Sequence, residues 1–113
     1  MFEPQKNNLQ DEFSALKTNR ENLALFQLGE VFASTGASEA FKKAGVSPYW
    51  FLAKHQDGDW GEVSEYVEAE NNLAVTEGFQ ILSAHTLYRT GEKIWIITES
   101  DRSVTTILLP EEY

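Results

Sequence analysis

The 113-residue chain predicts an α+β fold, with about three helices packed on one face of a small antiparallel sheet. Three observations carry this. Residues 79–109, FQILSAHTLYRTGEKIWIITESDRSVTTILL, hold three apolar, β-branched runs separated by two short polar turns, which predicts a C-terminal meander of three strands. Ahead of them, residues 35–78 are punctuated by Ser, Thr, Pro and Gly at helix starts and stops. One earlier run, LALFQLGEVFAS (23–34), alternates well enough for a short strand broken at Gly29. The resulting order is β-α-α-α-β-β-β.

The chain is long enough for one core and too short for two. Residues 1–22 are polar without a consistent apolar period and predict a loose N-terminal arm; residues 23–113 form the single globular domain. Thr35 can cap a helix over 36–43, which Gly45 stops. Ser47-Pro48 is a second start, with Ser as N-cap and Pro at the first helical position, where its missing N–H costs nothing; it leads into PYWFLAKH. A third helix fits 62–77, capped by Asp59 and ended by Gly78. Val63, Tyr66, Val67, Leu73 and Ala74 turn inward there and the acids outward. In the C-terminal third, Arg89–Glu92 and Ser100–Arg102 are the turns and Pro110 ends the ladder. Ile94 and Ile96 face one way and Trp95 and Ile97 the other, as in a central strand.

Composition narrows the function classes. Eighteen acids against nine bases give −9, so no broad basic surface for nucleic acid is expected. From Asp57 to Tyr88 stand seven acids (Asp57, Asp59, Glu62, Glu65, Glu68, Glu70, Glu77) and no Lys or Arg. Such a run is either a solvated helix face or a negative surface for a basic partner. With no cysteine there is no disulfide, thiolate nucleophile or finger-type zinc site. No apolar run reaches membrane-spanning length and the N-terminus lacks a signal-peptide layout, so a cytoplasmic protein without a membrane partner is expected. A Gly-rich phosphate loop, a GxSxG elbow and an HExxH helix are all missing, and no cofactor is called for.

Three strings carry candidate chemistry. AFKKAGVSPYWFLAKH (40–55) has the layout of a helix-turn-helix, but its second helix offers Tyr49, Trp50, Phe51 and Leu52 to the groove; a packed helical hairpin fits better than direct nucleic-acid binding. HQDGDWGE (55–62) sets His55, Asp57 and Asp59 within reach of one another as weak metal candidates, although the spacing matches no EF-hand; the simpler reading is an Asp57-Gly58 turn with Trp60 plugging the domain. On the C-terminal sheet, His85, Arg89, Lys93, Thr98, Arg102, Thr105 and Tyr113 gather cations and a general acid–base, with His85, Arg102 and Thr105 as the catalytic candidates. Helices followed by an antiparallel sheet resemble the architecture of the barnase/RelE type of small nuclease, which would imply metal-independent RNA cleavage.

The strings FQLGEVFASTGASEAF, HQDGDWGEV, GFQILSAHTL and GEKIWIITESDRSVTTILLPEEY together resemble a family of short bacterial "plasmid-related" proteins over 24–113. The resemblance implies an accessory protein of a mobile element and brings no established activity. The leading expectation is therefore binding of a protein partner through the acidic face, with Asp57, Asp59, Trp60, Glu62, Glu65, Tyr66 and Glu70 as contact residues. The alternatives are the ribonuclease-like enzyme and an acidic nucleic-acid mimic.

Overall fold

The structure, a computed structural model, describes residues 24–113 and the backbone of Pro4–Gln5. Its elements are β1 (Pro4–Gln5), β2 (Glu30–Ser34), α1 (Thr35–Ala44), α2 (Pro48–Gln56), α3 (Glu65–Glu77), β3 (Ile81–Leu87), β4 (Glu92–Thr98) and β5 (Val104–Leu108), closed by a 3₁₀ turn at Pro110–Glu112. The fold is α+β, with three helices among the described residues. Apart from Pro4–Gln5, the N-terminal arm expected over 1–22 lies outside those residues.

Strand order is β1-β2-β5-β4-β3. β3 with β4 and β4 with β5 run antiparallel, but β2 lies parallel to β5, so the sheet is mixed and not antiparallel throughout. The reason lies in the long crossover: after β2 the chain passes through three helices and two β-strands before β5 comes to lie beside it. Gly29 makes this neighbour possible. At φ +67 its backbone lies against the Ser103 carbonyl, and an added Cβ would stand 2.2 Å from that oxygen.

Alternation on the strands divides the sheet into two faces. Val31, Ala33, Ile81, Leu87, Ile94, Ile96 and Ile107 belong to the core cluster, together with Phe41, Ala44, Phe51, Leu52 and Ala74 from the helices. As the pattern predicted, Ile94 and Ile96 point to the helices and Trp95 and Ile97 away. The second face is also covered: Ile97 and Leu108 are buried, and Tyr113 meets Trp95 edge-on at 5.6 Å. Glu112 ties the C-terminus down by accepting from Ser34 Oγ (2.5 Å) and Leu109 N (2.7 Å).

Local chemistry explains where the helix boundaries differ from expectation. Ser34, not Thr35, caps α1: its hydroxyl accepts from Ala37 N at 3.0 Å. Ser47 caps α2 as expected. α3 starts at Glu65 with Ser64 as its cap, three residues later than predicted, because Asp59 is occupied elsewhere. Its buried residues are Asn71 and Ala74, while Tyr66 (71% exposed) and Leu73 (53%) face solvent, reversing the inward placing of those two. The amide of Asn71 takes the place of a neighbouring strand: it donates to Leu82 O at 2.7 Å and accepts from Leu82 N at 3.1 Å on the free edge of β3. Packing thus buries Asn71, a polar residue that the apolar pattern passed over, and leaves Leu73 outside.

Candidate functional site

The same edge of β3 is sealed further along by the HQDGDWGE string. Ala84 N donates to Trp60 O (3.0 Å) and Glu62 N to Ala84 O (2.7 Å), so residues 60–62 run as a short parallel bridge beside the strand. Trp60 sits beneath this bridge at 3% exposure, stacked near Phe26, its Nε1 donating to Asn72 Oδ1 at 3.0 Å. It is the aromatic plug and not a surface contact. Gly61 has φ +71, and its bare Cα allows the segment to pack closely on β3: an added Cβ would stand 2.0 Å from Ala84 O and 2.7 Å from His85 Nδ1.

Beside Gly61 opens a pocket of about 730 Å³ between the start of α2, the 59–62 segment and the end of β3. Its floor is Phe51, Ala84 and His85; its rim carries Trp50, Lys54, Asp59, Glu62, Tyr88 and Arg89. Trp50 is 65% exposed, so the hydrophobic front of α2 is not wholly buried as the hairpin reading expected. The Lys54 ammonium lies 5.5 Å from the Trp50 ring centroid. Both carboxylates on the rim are engaged. Asp59 accepts from Lys54 Nζ at 3.0 Å and, more weakly, from Gly61 N at 3.3 Å. Glu62 accepts from Thr86 Oγ1 at 2.6 Å and Lys93 Nζ at 3.2 Å. These bonds hold both acids below their ordinary range, chiefly the Lys54 bond for Asp59 and the Thr86 bond for Glu62. Arg89, in contrast, has no hydrogen-bond or ion-pair partner among the described residues.

His85 is nearly buried, packed against Phe51 at 5.4 Å, and lines the pocket. Desolvation lowers its pKa, outweighing Asp59 and Glu62, which pull the other way. Behind it runs a line of polar side chains through the core. His85 Nε2 meets Ser83 Oγ (3.1 Å), Ser83 Oγ meets His55 Nδ1 (2.6 Å), His55 Nε2 meets Thr98 Oγ1 (2.9 Å) and Thr98 Oγ1 meets Thr105 Oγ1 (2.7 Å). Thr105 Oγ1 donates to Leu28 O at 2.8 Å. His55 is fully buried, and its pKa is lowered to about 3, first by desolvation and then by the nearby His85 and Arg102.

The residues singled out in the sequence therefore separate. His85 lines the pocket, and Thr105 is buried at the far end of the polar line. Arg102 is engaged elsewhere: Nη1 donates to Phe79 O (2.7 Å) and Glu99 O (3.1 Å), and Nη2 to Ala74 O (2.7 Å), which satisfies the C-terminus of α3. Asp59 and Glu62 belong to the pocket. Glu65, Tyr66 and Glu70 lie on the exposed face of α3, where Tyr66 hydrogen-bonds Glu70, and Asp57 ends α2. The metal candidates do not converge: both nitrogens of His55 are taken inside the core, and Asp59 holds Lys54. Among the described residues no cluster of three or more His, Asp or Glu is arranged to hold a metal ion.

Sequence reasoning passed over Trp50, Lys54 and Gly61 as site residues. Trp50 and Lys54 do stand four apart in PYWFLAKH, one helical turn, which sets them on a common face. The comparisons with known proteins yield no match: no family model fits the chain, and no curated protein and no solved structure matches it. No helix among the described residues is long and apolar enough to cross a membrane.

Proposed function

We propose that the protein is a small metal-independent ribonuclease whose active site is the pocket at His85. The observation that supports this most is the distribution of charge. Six of the nine bases fall among the described residues; two of these, Lys54 and Arg89, line the pocket, and Lys93 reaches its rim through Glu62. Lys42 and Lys43 occupy the last turn of α1, just before Gly45, where an added Cβ would stand 3.4 Å from Arg89 Nη1. In a chain of net charge −9 the pocket lining is balanced, Lys54 and Arg89 against Asp59 and Glu62, with both carboxylates already engaged, while Glu65, Glu68, Glu70 and Glu77 stay on α3, outside the lining.

The chemistry follows from these groups. A ribose 2′-hydroxyl placed at His85 gives its proton to the neutral imidazole. The 2′-oxygen then attacks the adjacent phosphorus and the P–O5′ bond breaks, leaving a 2′,3′-cyclic phosphate. The departing 5′-oxygen takes a proton from water. Arg89, unengaged, and Lys54 neutralise the extra negative charge of the phosphorane. Trp50 and Tyr88, both exposed on the rim, offer flat faces for a base. The resemblance to plasmid-related proteins supplies the setting we propose, a cytoplasmic accessory protein of a mobile element.

The test is cleavage of a short fluorescent single-stranded RNA with chelator present. Cyclic-phosphate products from the wild type, with a loss of roughly 10²-fold or more in His85→Ala, are expected. Uncleaved RNA at high protein concentration, or equal cleavage by His85→Ala, sinks the reading. A second reading, capture of a basic protein partner by α3, is favoured by the exposure of Tyr66 and Leu73 on one side of an acidic helix. It requires that Glu65→Lys, Glu68→Lys and Glu70→Lys together abolish capture without altering RNA cleavage.

A further inference from the structure

We propose that Leu28, on the far side of the core, sets the tautomer of His85: its backbone carbonyl gives the whole line of hydrogen bonds a single direction and leaves Nδ1 of His85 as the bare, proton-accepting nitrogen. The argument begins at the end whose polarity is known. A carbonyl only accepts, so the 2.8 Å contact to Leu28 O requires the proton of Thr105 Oγ1. A hydroxyl has one proton; Thr105 must then accept from Thr98 at 2.7 Å. Thr98 has in turn spent its proton and accepts from His55 Nε2 at 2.9 Å, which places the His55 proton on that nitrogen.

His55 stays neutral because burial pushes its pKa to about 3. Its Nδ1 is therefore bare and accepts from Ser83 Oγ at 2.6 Å, and Ser83, its proton committed, accepts from His85 Nε2 at 3.1 Å. Run in the opposite direction, the line would leave two acceptors facing each other at Thr105 and Leu28. The bare Nδ1 of His85 is the nitrogen that faces Gly61, 2.7 Å from where a Cβ on that residue would stand. The charged groups acting on that ring are Asp59, Lys54 and Glu62. Ser83, His55, Thr98 and Thr105 are thus positioning residues for a base that none of them needs to touch through substrate. The tautomer stands on the hydrogen-bond geometry and a neutral, buried His55, whatever the activity; its effect on cleavage rests on the ribonuclease reading.

Histidine ¹⁵N resonances of the RNA-free protein at about pH 7.5, where both imidazoles are neutral, decide the matter. The wild type is expected to show His85 with a protonated Nε2 and an unprotonated Nδ1. A protonated Nδ1 overturns the proposal, and this result needs no variant to fold. In Thr105→Val the Thr98 hydroxyl loses its acceptor and turns to His55 Nε2, so every bond reverses and the His85 proton moves to Nδ1. Cleavage should then fall roughly 10²-fold, while Thr105→Ser restores both tautomer and rate. An unchanged His85 tautomer in folded Thr105→Val also overturns the proposal. The expected wild-type tautomer in a protein that cleaves no RNA leaves the relay standing and removes the ribonuclease.

Discussion

The two ends of strand β3 carry one arginine each, and they are used in opposite ways. At the Ile81 end, Arg102 gives its guanidinium protons to the carbonyls of Ala74, Phe79 and Glu99 and lies over the Phe26 ring, so its charge is absorbed by helix and turn. Desolvation there lowers its pKa. At the Leu87 end, Arg89 lines the pocket without a partner among the described residues, in the company of Lys54 and His85. A cation consumed by backbone carbonyls serves the fold; one held at a rim with nothing to bind is available to a ligand. Between the two, the bridge at residues 60–62 closes the edge, and Gly61 is the point where fold and site meet.

Gly61→Ala should have the largest effect because it damages both functions at once. The new methyl would stand 2.0 Å from Ala84 O, in a backbone conformation that a side chain disfavours, and 2.7 Å from His85 Nδ1. Opening the bridge to relieve the clash unpairs Ala84 N and O. We expect about 3 kcal/mol or more of lost stability by urea denaturation and no measurable cleavage at temperatures where the variant is folded. A variant as stable as the wild type would show that the bridge does not hold this edge.

Next in size is Arg102→Met, which keeps an apolar stem over Phe26 and removes the three carbonyl contacts. The loss should be about 2 kcal/mol in denaturation, discounted because the group is partly exposed. Cleavage by the folded variant should be unchanged, since the side chain is not part of the pocket lining. Reduced cleavage at full folding would erase the distinction drawn between the two ends.

These cases also show what the sequence could and could not disclose. The helix starts at Ser47-Pro48, the stops at Gly45 and Gly78 and the opposed faces of β4 were legible because each is set by neighbouring residues in the chain. The parallel pairing of β2 with β5 was not, since about seventy positions separate the partners and no local pattern records which strand becomes the neighbour. His85 could be named as a candidate because a histidine within an apolar strand is conspicuous. The choice between Arg89 and Arg102 could not be made, because it depends on whether the carbonyls of another helix end come within reach. His55 was weighed as a metal ligand, and its packing into the core depends on Ser83 and Thr98, residues whose hydroxyls look ordinary in their strands.

The pH dependence of stability tests the core line between the two ends. The pKa of His55 lies lower folded than unfolded, about 3 against 6.5, and burial shifts His85 the same way. Between those values the unfolded chain binds more protons, so stability is fully present above pH 6.5 and is lost as pH falls below it. From pH 7 to pH 5, above the range where the carboxylates titrate, His55 alone should account for a loss of about 2 kcal/mol. Urea midpoints across this window should fall accordingly, and His55→Gln should flatten the slope. An unchanged midpoint would mean that His55 takes up its proton without leaving the core.

Arg89→Ala carries the smallest expected change in stability and the sharpest meaning. With no partner among the described residues to lose, its midpoint should stay within about 0.5 kcal/mol of the wild type. Arg102→Met costs stability and spares cleavage; Arg89→Ala should do the reverse, lowering cleavage by roughly 10²-fold if the guanidinium meets the phosphorane. Arg89→Lys, which keeps the charge but not the planar fork, should recover part of that loss. Should Arg89→Ala unfold as readily as Arg102→Met, the guanidinium is held by contacts that matter to the fold, and the two ends of β3 are alike.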